Sequence, residues 1–274
     1  MQISDSSSSI TAKKSECKDE ILEDYSSLGN KRPWVERKKQ THILANAYKD
    51  LGQYYTTEYS HSKIKRLENC GTYLKFSECP EGHKESKKLI EANFCRGRLC
   101  PMCQWRRSMK LAYQVNAVRH LALEKEPKIR FIMLTLTVKN VSADKLSDKV
   151  DDLNYAFSKL KNRKEVDKVL EGYFKALEVT YNSNEETYHP HFHCILAVKP
   201  TYFSDYYIKQ ARWTELWKQS LKVDYSPIVD VQTVQNNGKG EKSQVAKDRK
   251  QYQNDMAGAT SEVAKYSTKV DDYI

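Results

Sequence analysis

No stretch of this chain approaches the roughly 18 consecutive apolar residues that a membrane-spanning helix needs. Its start, MQISDSSSSITAKK, lacks the basic, apolar and small-residue series of a secretory signal. The two absences predict a soluble, cytoplasmic protein. No internal repeat is visible, which argues against a solenoid or propeller. Acidic charge falls short of basic charge, with 36 Asp and Glu against 46 Lys and Arg, and the net charge of +10 suits a partner that is a polyanion. The seven cysteines lack the even count of an extracellular disulfide framework. Most fall between Cys70 and Cys103, so local metal binding explains them better. Aromatics are plentiful, and 18 Tyr, four Trp and seven Phe interleaved with bases offer single-stranded nucleic acid both stacking and phosphate contact.

A chain of 274 residues can hold one domain of roughly 150 to 200 residues plus an appendage, or two small domains. Residues 1–30 are rich in Ser, Lys, Glu and Asp without apolar periodicity and are expected to be a disordered tail. From Lys31 to Leu67, Ile43, Leu44, Ala47, Tyr48 and Leu51 recur at helical spacing between basic flanks. One or two basic helices follow, and both duplex DNA contact and a plain solvated face fit them.

Cys95, Cys100 and Cys103 form a C-x4-C-x2-C cluster with Pro101 inside it. Thiolates at that spacing suit tetrahedral zinc, which needs a fourth ligand. Cys70, at the start of a short TYLKF strand, can supply it, with Cys79 and His83 in reserve. Bare thiols beside CRGR and QWRR would be reactive, because basic neighbours lower thiol pKa. A redox pair at Cys100 and Cys103 would need a thioredoxin-type strand and helix, which the text around them lacks. Residues 31–126 therefore read as a basic helical and zinc-binding appendage.

The remainder, 127–274, alternates differently. A helix over Gln104–Glu126 is stopped by Pro127. Strands are expected at 129–138, 173–181, 188–198 and 227–234, with helices at 143–163 and 204–221 between them. The order β-α-β-β-α-β is the ferredoxin-like α+β arrangement, an antiparallel sheet with helices on one face and the other face free for a site or a nucleic acid strand. Residues 235–247 look like a mobile basic loop, and a last helix is expected from Gln251 to Val270.

Three of the seven histidines lie in YHPHFHCILAV at Tyr188–Val198. Side chains alternate along a strand, so His191, His193 and Ile195 share one face while Phe192, Cys194, Leu196 and Val198 share the other. Imidazoles two residues apart, roughly 6 to 7 Å at the backbone, can converge on one divalent cation. A histidine-rich turn before an ordinary core strand is the plainer reading, but buried ring nitrogens need partners. Glu178, on the face of its strand that carries Ala176 and Thr180, can complete the site as a hard oxygen ligand, with His189 as the reserve. In SEVAKYSTKV, Glu262, Tyr266 and Lys269 fall on one helical face beside Lys265. A metal, a tyrosine and a nearby carboxylate together suit phosphoryl transfer: the hydroxyl attacks a DNA phosphodiester, the metal polarises its oxygens, and the carboxylate orients a water.

FIMLTLT at 131–137, HPHFHCIL at 189–196 and SEVAKYSTK at 261–269 occur in the order found in HUH endonucleases, named for their His-hydrophobic-His motif. Together with Cys70-Gly71 and FCRGRLCPMCQWRR, they make residues 30–270 resemble the rolling-circle replication initiators of small Gram-positive plasmids. The resemblance implies that Tyr266 nicks one strand at the double-strand origin, leaving a 5′-phosphotyrosyl link and a free 3′-OH. It implies that Glu262 stands where related initiators carry a second tyrosine and ends the cycle by hydrolysis. His191 and His193 carry over as metal ligands, for Mg²⁺ or Mn²⁺. Lys265, Lys269, Arg106 and Arg107 are the bases expected to meet DNA. The implied partners are single-stranded and origin plasmid DNA, with a host helicase as a further candidate and no membrane. Relatives often run beyond the point where this chain ends, eight residues after Tyr266. A relaxase or transposase would use the same tyrosine to mobilise DNA, and a non-catalytic zinc-containing regulator would bind DNA without a covalent adduct.

Overall fold

The computed structural model describes residues 22, 24–25, 31–52, 58–77 and 88–233. Its N-terminal part contains α1 (Trp34–Gly52), α2 (Glu58–Glu68), a two-stranded antiparallel pair of β1 (Leu74–Ser77) and β2 (Lys88–Ala92), and α3 (Pro101–Lys125). Trp34, Leu44, Ala45, Leu67 and Met102 are buried there with Cys70, Cys95, Cys100 and Cys103, forming one core. Rings organise it: Trp34 meets Trp105 edge-on at 4.6 Å between centroids and stacks on Phe94 at 6.4 Å. Within the stretch expected to be a disordered tail, Asp24 is buried and accepts a 2.8 Å hydrogen bond from the Trp34 indole. The rest of that stretch lies outside the described residues, apart from Leu22 and Tyr25.

Helix α3 links this core to the second one. Pro101 occupies its first turn, where a missing N–H costs nothing, so the helix starts earlier than the expected Gln104. Its 25 residues span about 38 Å at 1.5 Å per residue. Cys103 near one end is part of the first core, while Ala122 and Leu123 near the other pack with Phe131 and Ile195 of the large sheet.

That sheet follows in the order β3 (Arg130–Thr137), α4 (Leu146–Lys161), the short α5 (Lys164–Asp167), β4 (Leu170–Asn182), β5 (Thr187–Val198), α6 (Gln210–Leu221) and β6 (Val229–Thr233). The architecture is α+β, with four antiparallel strands arranged β4-β5-β3-β6. Alternation sorts the faces. Ile132, Leu134 and Leu136 of β3 and Phe192, Cys194, Leu196 and Val198 of β5 bury against Leu153, Phe157 and Leu160 of α4 and Trp213, Leu216 and Trp217 of α6. The buried indoles are satisfied: Trp213 donates to the Tyr202 hydroxyl at 3.2 Å and Trp217 to the Thr137 carbonyl at 2.8 Å.

Several further elements differ from expectation. The helix expected from Ser204 starts at Gln210, because residues 200–203 form a 3-10 turn that buries Tyr202, whose hydroxyl donates to the Ile208 carbonyl at 3.2 Å. The helix expected over 143–163 divides into a 3-10 turn at 143–145, α4 and α5. Strand β2 has no counterpart in the sequence reading; it pairs with β1 and brings Cys95 back beside Cys70.

Candidate metal centres

Strands β4 and β5 form a long hairpin joined by residues 183–186. Asn182 shapes its turn by accepting hydrogen bonds on its side-chain oxygen from the N–H groups of Asn184 and Glu185 at 3.1 and 3.4 Å. The resulting register sets Glu178 opposite His191 and Ala176 opposite His193, while β3 sets Thr137 and Thr135 against the same two histidines. Pro190 can occupy this inner strand because it lies between the Val141–Tyr188 bridge and the last β3 pairing at Thr137–His191. One sheet face therefore carries Glu178, His191 and His193 together, on the side away from α4 and α6.

Their geometry is tight. The Glu178 Oε2 lies 2.9 Å from the Nε2 of His191 and 2.9 Å from the Nε2 of His193. Glu178 is 4% exposed, so its carboxylate has left bulk water. The Nδ1 of His191 stands 3.1 Å from the His189 carbonyl, which can only accept, so Nδ1 carries a proton. A neutral His191 then points a bare Nε2 lone pair at a carboxylate oxygen. That contact is favourable only when a proton lies between the two atoms or a cation bridges them. His193 is oriented by a 3.3 Å contact between its Nδ1 and the Thr135 hydroxyl. Outer partners of this kind commonly fix metal-binding imidazoles. An octahedral cation with bonds of about 2.1 Å puts neighbouring ligand atoms about 3 Å apart, close to the spacing here. The donor set of two imidazoles and one carboxylate thus fits a divalent cation.

His189 stays beside this group without joining it. Its ring centroid lies 5.1 Å from that of His191, and its Nδ1 meets the Asn140 amide oxygen at 2.9 Å. Burial, and then the neighbouring His191, lower its pKa.

The second group comprises Cys70, Cys95, Cys100 and Cys103, all buried, with sulfurs within 4.8 Å of one another. Sγ–Sγ separations of 3.7 Å for Cys70–Cys103, 3.6 Å for Cys95–Cys103 and 3.6 Å for Cys70–Cys100 are too long for disulfides. They match the roughly 3.8 Å edge of a tetrahedron with Zn–S bonds of about 2.3 Å. Backbone amides aim at the sulfurs: Arg96 N–H reaches Cys103 Sγ at 3.2 Å and Gly97 N–H reaches Cys95 Sγ at 3.4 Å. Arg96 holds φ +58 to make this turn, and a Cβ on Gly97 would sit 3.4 Å from both Cys95 Sγ and Cys100 Cβ. Hydrogen bonding among the thiols lowers Cys95 and holds Cys100 at about 7, and the same contacts raise Cys70 and Cys103. Cys194 is elsewhere, buried in the large core, and desolvation pushes its thiol up.

Arg106 is half-buried among Trp34, Trp105 and Phe94, with its guanidinium carbon 5.5 to 6.0 Å from their ring centres. Arg107 donates to the Gln104 side chain at 2.9 Å. Tyr266, Glu262, Lys265, Lys269, Cys79 and His83 lie outside the described residues. What the sequence reading missed are the partners that orient the histidines, Thr135 and Asn140; the Leu-Thr-Leu-Thr alternation of β3 was the available signal for Thr135.

The family model described as Replication protein matches residues 86–274. The chain belongs to this Rep family. It is 43% identical over 257 residues to a protein named Protein rep from Streptococcus pneumoniae, an alignment covering 93% of this chain and 73% of that one. A Protein rep from Bacillus amyloliquefaciens is 40% identical over 254 residues, covering 93% of this chain and 74% of the relative. One from Staphylococcus aureus is 34% identical over 221 residues, with 80% of this chain and 92% of the relative covered. No solved structure matches. The resemblance drawn from the sequence therefore holds: this Rep protein is a plasmid replication initiator of the Gram-positive type. No helix among its described residues is long and apolar enough to cross a membrane.

Proposed function

We propose that this Rep protein initiates rolling-circle replication by nicking one DNA strand at the plasmid's double-strand origin, with Tyr266 as nucleophile and Glu178, His191 and His193 as the ligands of a catalytic cation. The observation that carries the reading is the buried Glu178 oxygen set 2.9 Å from two imidazole nitrogens, a donor set that a divalent cation at its centre would satisfy. Mg²⁺ or Mn²⁺ held there supplies Lewis-acid polarisation of the scissile phosphate.

The chain's own residues divide the rest of the work. Tyr266 gives up its hydroxyl proton, and its oxygen forms the new bond to phosphorus as the bond to the 3′ oxygen breaks. The products are a 5′-phosphotyrosyl link and a free 3′-OH, so one phosphoester replaces another and the 3′ end can prime synthesis. Glu262 orients a water for the hydrolysis that ends the cycle. Lys265 and Lys269 beside the nucleophile neutralise phosphate charge, with the exposed Arg107 contributing from α3.

The strand order β4-β5-β3-β6 and the β-α-β-β-α-β succession support a ferredoxin-like HUH nuclease fold over residues 127–274. Residues 31–126 form its appendage, organised by one structural zinc on Cys70, Cys95, Cys100 and Cys103. The partners are single-stranded and origin plasmid DNA, with a host helicase to open the duplex ahead of synthesis, and the protein acts in the cytoplasm. The test is cleavage of an origin oligonucleotide with Mn²⁺: the native chain yields a covalent adduct, and Tyr266→Phe yields none while still binding DNA.

A further inference from the structure

Beside the cysteine cluster, away from the histidine face, a cleft of about 570 Å³ opens between α2 and the turn that follows β2. One wall is Ser62, Lys65 and Arg66, which at i, i+3 and i+4 form one stripe of α2, continued by Asn69 just past the helix end. The other wall is Asn93, Phe94, Cys95 and Arg96. Lys65, Arg66 and Arg96 are all exposed, and no Asp or Glu lines the cleft. The opposite side of α2 buries Ile64 and Leu67, so the polar stripe is the face the fold leaves outward.

Two details separate this cleft from an ordinary solvated face. The C-terminal end of a helix carries partial negative charge that repels anions. Here it is neutralised: Lys38 Nζ donates to the carbonyls of Glu68 and Cys70, each at 2.7 Å, and Asn93 Nδ2 donates to that of Asn69 at 2.9 Å. Arg66 is braced by a 2.5 Å bond to the Cys95 carbonyl, whereas Lys65 and Arg96 form no ion pair among the described residues. The walls thus present two cations with no ion pair among the described residues, together with amide and hydroxyl donors, beside a helix end whose last carbonyl, Glu68, is already bonded by Lys38.

We infer that this cleft between α2 and the Cys95–Arg96 turn is a phosphate-backbone cradle for duplex DNA, a contact surface separate from the nicking site. The ligand is the duplex backbone rather than a single strand. Non-specific single-strand sites add aromatic platforms for bases, but the ring in this lining, Phe94, is already stacked on Trp34. The cradle holds the double-stranded flank of the origin and reads charge rather than sequence. The inference rests on the Rep assignment but not on Tyr266 chemistry.

The test measures binding of the full chain to an origin-flank duplex across a salt series. It compares native protein with Lys65→Gln/Arg96→Gln, Lys65→Glu/Arg96→Glu, and a control, Lys145→Glu/Lys164→Glu, that makes the same charge change on exposed residues elsewhere. Zinc content and melting temperature establish that each variant is folded. The neutralised pair is expected to bind duplex about tenfold more weakly, with the slope of log affinity against log salt reduced by about 2, and the reversed pair more weakly still. The control should change little, and Mn²⁺-dependent cleavage of a single-stranded origin oligonucleotide should persist in all four proteins. Unchanged duplex affinity and slope in the Lys65/Arg96 variants, or an equal loss in the control, would overturn the cradle. Absence of cleavage by the native chain would instead count against the nuclease reading and leave the slope comparison intact.

Discussion

Glu178 and His191 face each other across neighbouring strands, and the carboxylate oxygen that contacts the His191 ring at 2.9 Å also contacts His193 at 2.9 Å. A buried carboxylate shared by two imidazoles is costly to assemble unless a cation repays the desolvation.

Titration of the full chain with Mn²⁺ should show one site on the sheet face. His193→Ala or Glu178→Gln should weaken it by more than the roughly 10–100-fold typical of losing an outer partner, and Thr135→Val by about tenfold. Undiminished Mn²⁺ affinity in Glu178→Gln would remove the carboxylate from the ligand set.

Tyr266 and Glu262 should separate kinetically. Glu262→Gln should nick a labelled origin strand at close to the native rate, yet accumulate covalent adduct because hydrolysis slows by at least about 10²-fold, the scale of general-base catalysis. Equal release of adduct by both proteins would assign termination to another residue.

Elemental analysis should find one zinc per chain, lost in Cys100→Ser. Retention should also depend on pH in a set direction. Cys95 and Cys100, drawn down by their hydrogen-bonded neighbours with Cys100 at about 7, are thiolates or nearly so at neutral pH. Cys70 and Cys103, shifted upward, keep their protons until metal displaces them. Loading therefore releases protons from Cys70 and Cys103 through the neutral range, so zinc affinity should fall as pH drops and fall more steeply below about 7, where Cys100 also takes up a proton. A chelator competition that is flat with pH would contradict a thiolate site.

Trp217 lies under the metal face. Its indole donates to the carbonyl of Thr137, the residue paired with His191 across β3 and β5. Trp217→Phe should cost about 1–3 kcal/mol, because a buried carbonyl loses its donor. Thermal melts of the two proteins check this, and an unchanged melting temperature would show that water replaces the indole.

Much of the large sheet could be read from the chain, because its signals are local. Alternation in FIMLTLT and FHCILAV separates a core face from a site face before any neighbour is known, and the structure keeps that division for Leu134, Leu136, Phe192 and Leu196. The convergence of Glu178 on two histidines needed one further fact, the register of a hairpin, which the Asn182 turn supplies. Strand β2 was not legible: KLIEA is short and charged, and only its pairing with β1 makes it a strand. Arg106 shows the opposite difficulty. In sequence it is one of two adjacent arginines expected at DNA, whereas its guanidinium packs among three aromatic rings, a tertiary environment that spacing does not reveal.

Incubating the full chain with a labelled single-stranded origin oligonucleotide and Mn²⁺, then mapping the labelled peptide by mass spectrometry, decides whether Tyr266 is the nucleophile. The account predicts one 5′-phosphotyrosyl adduct on Tyr266, absent in Tyr266→Phe and suppressed in Glu178→Gln. An adduct on a different tyrosine, or undiminished cleavage by Tyr266→Phe, would contradict it.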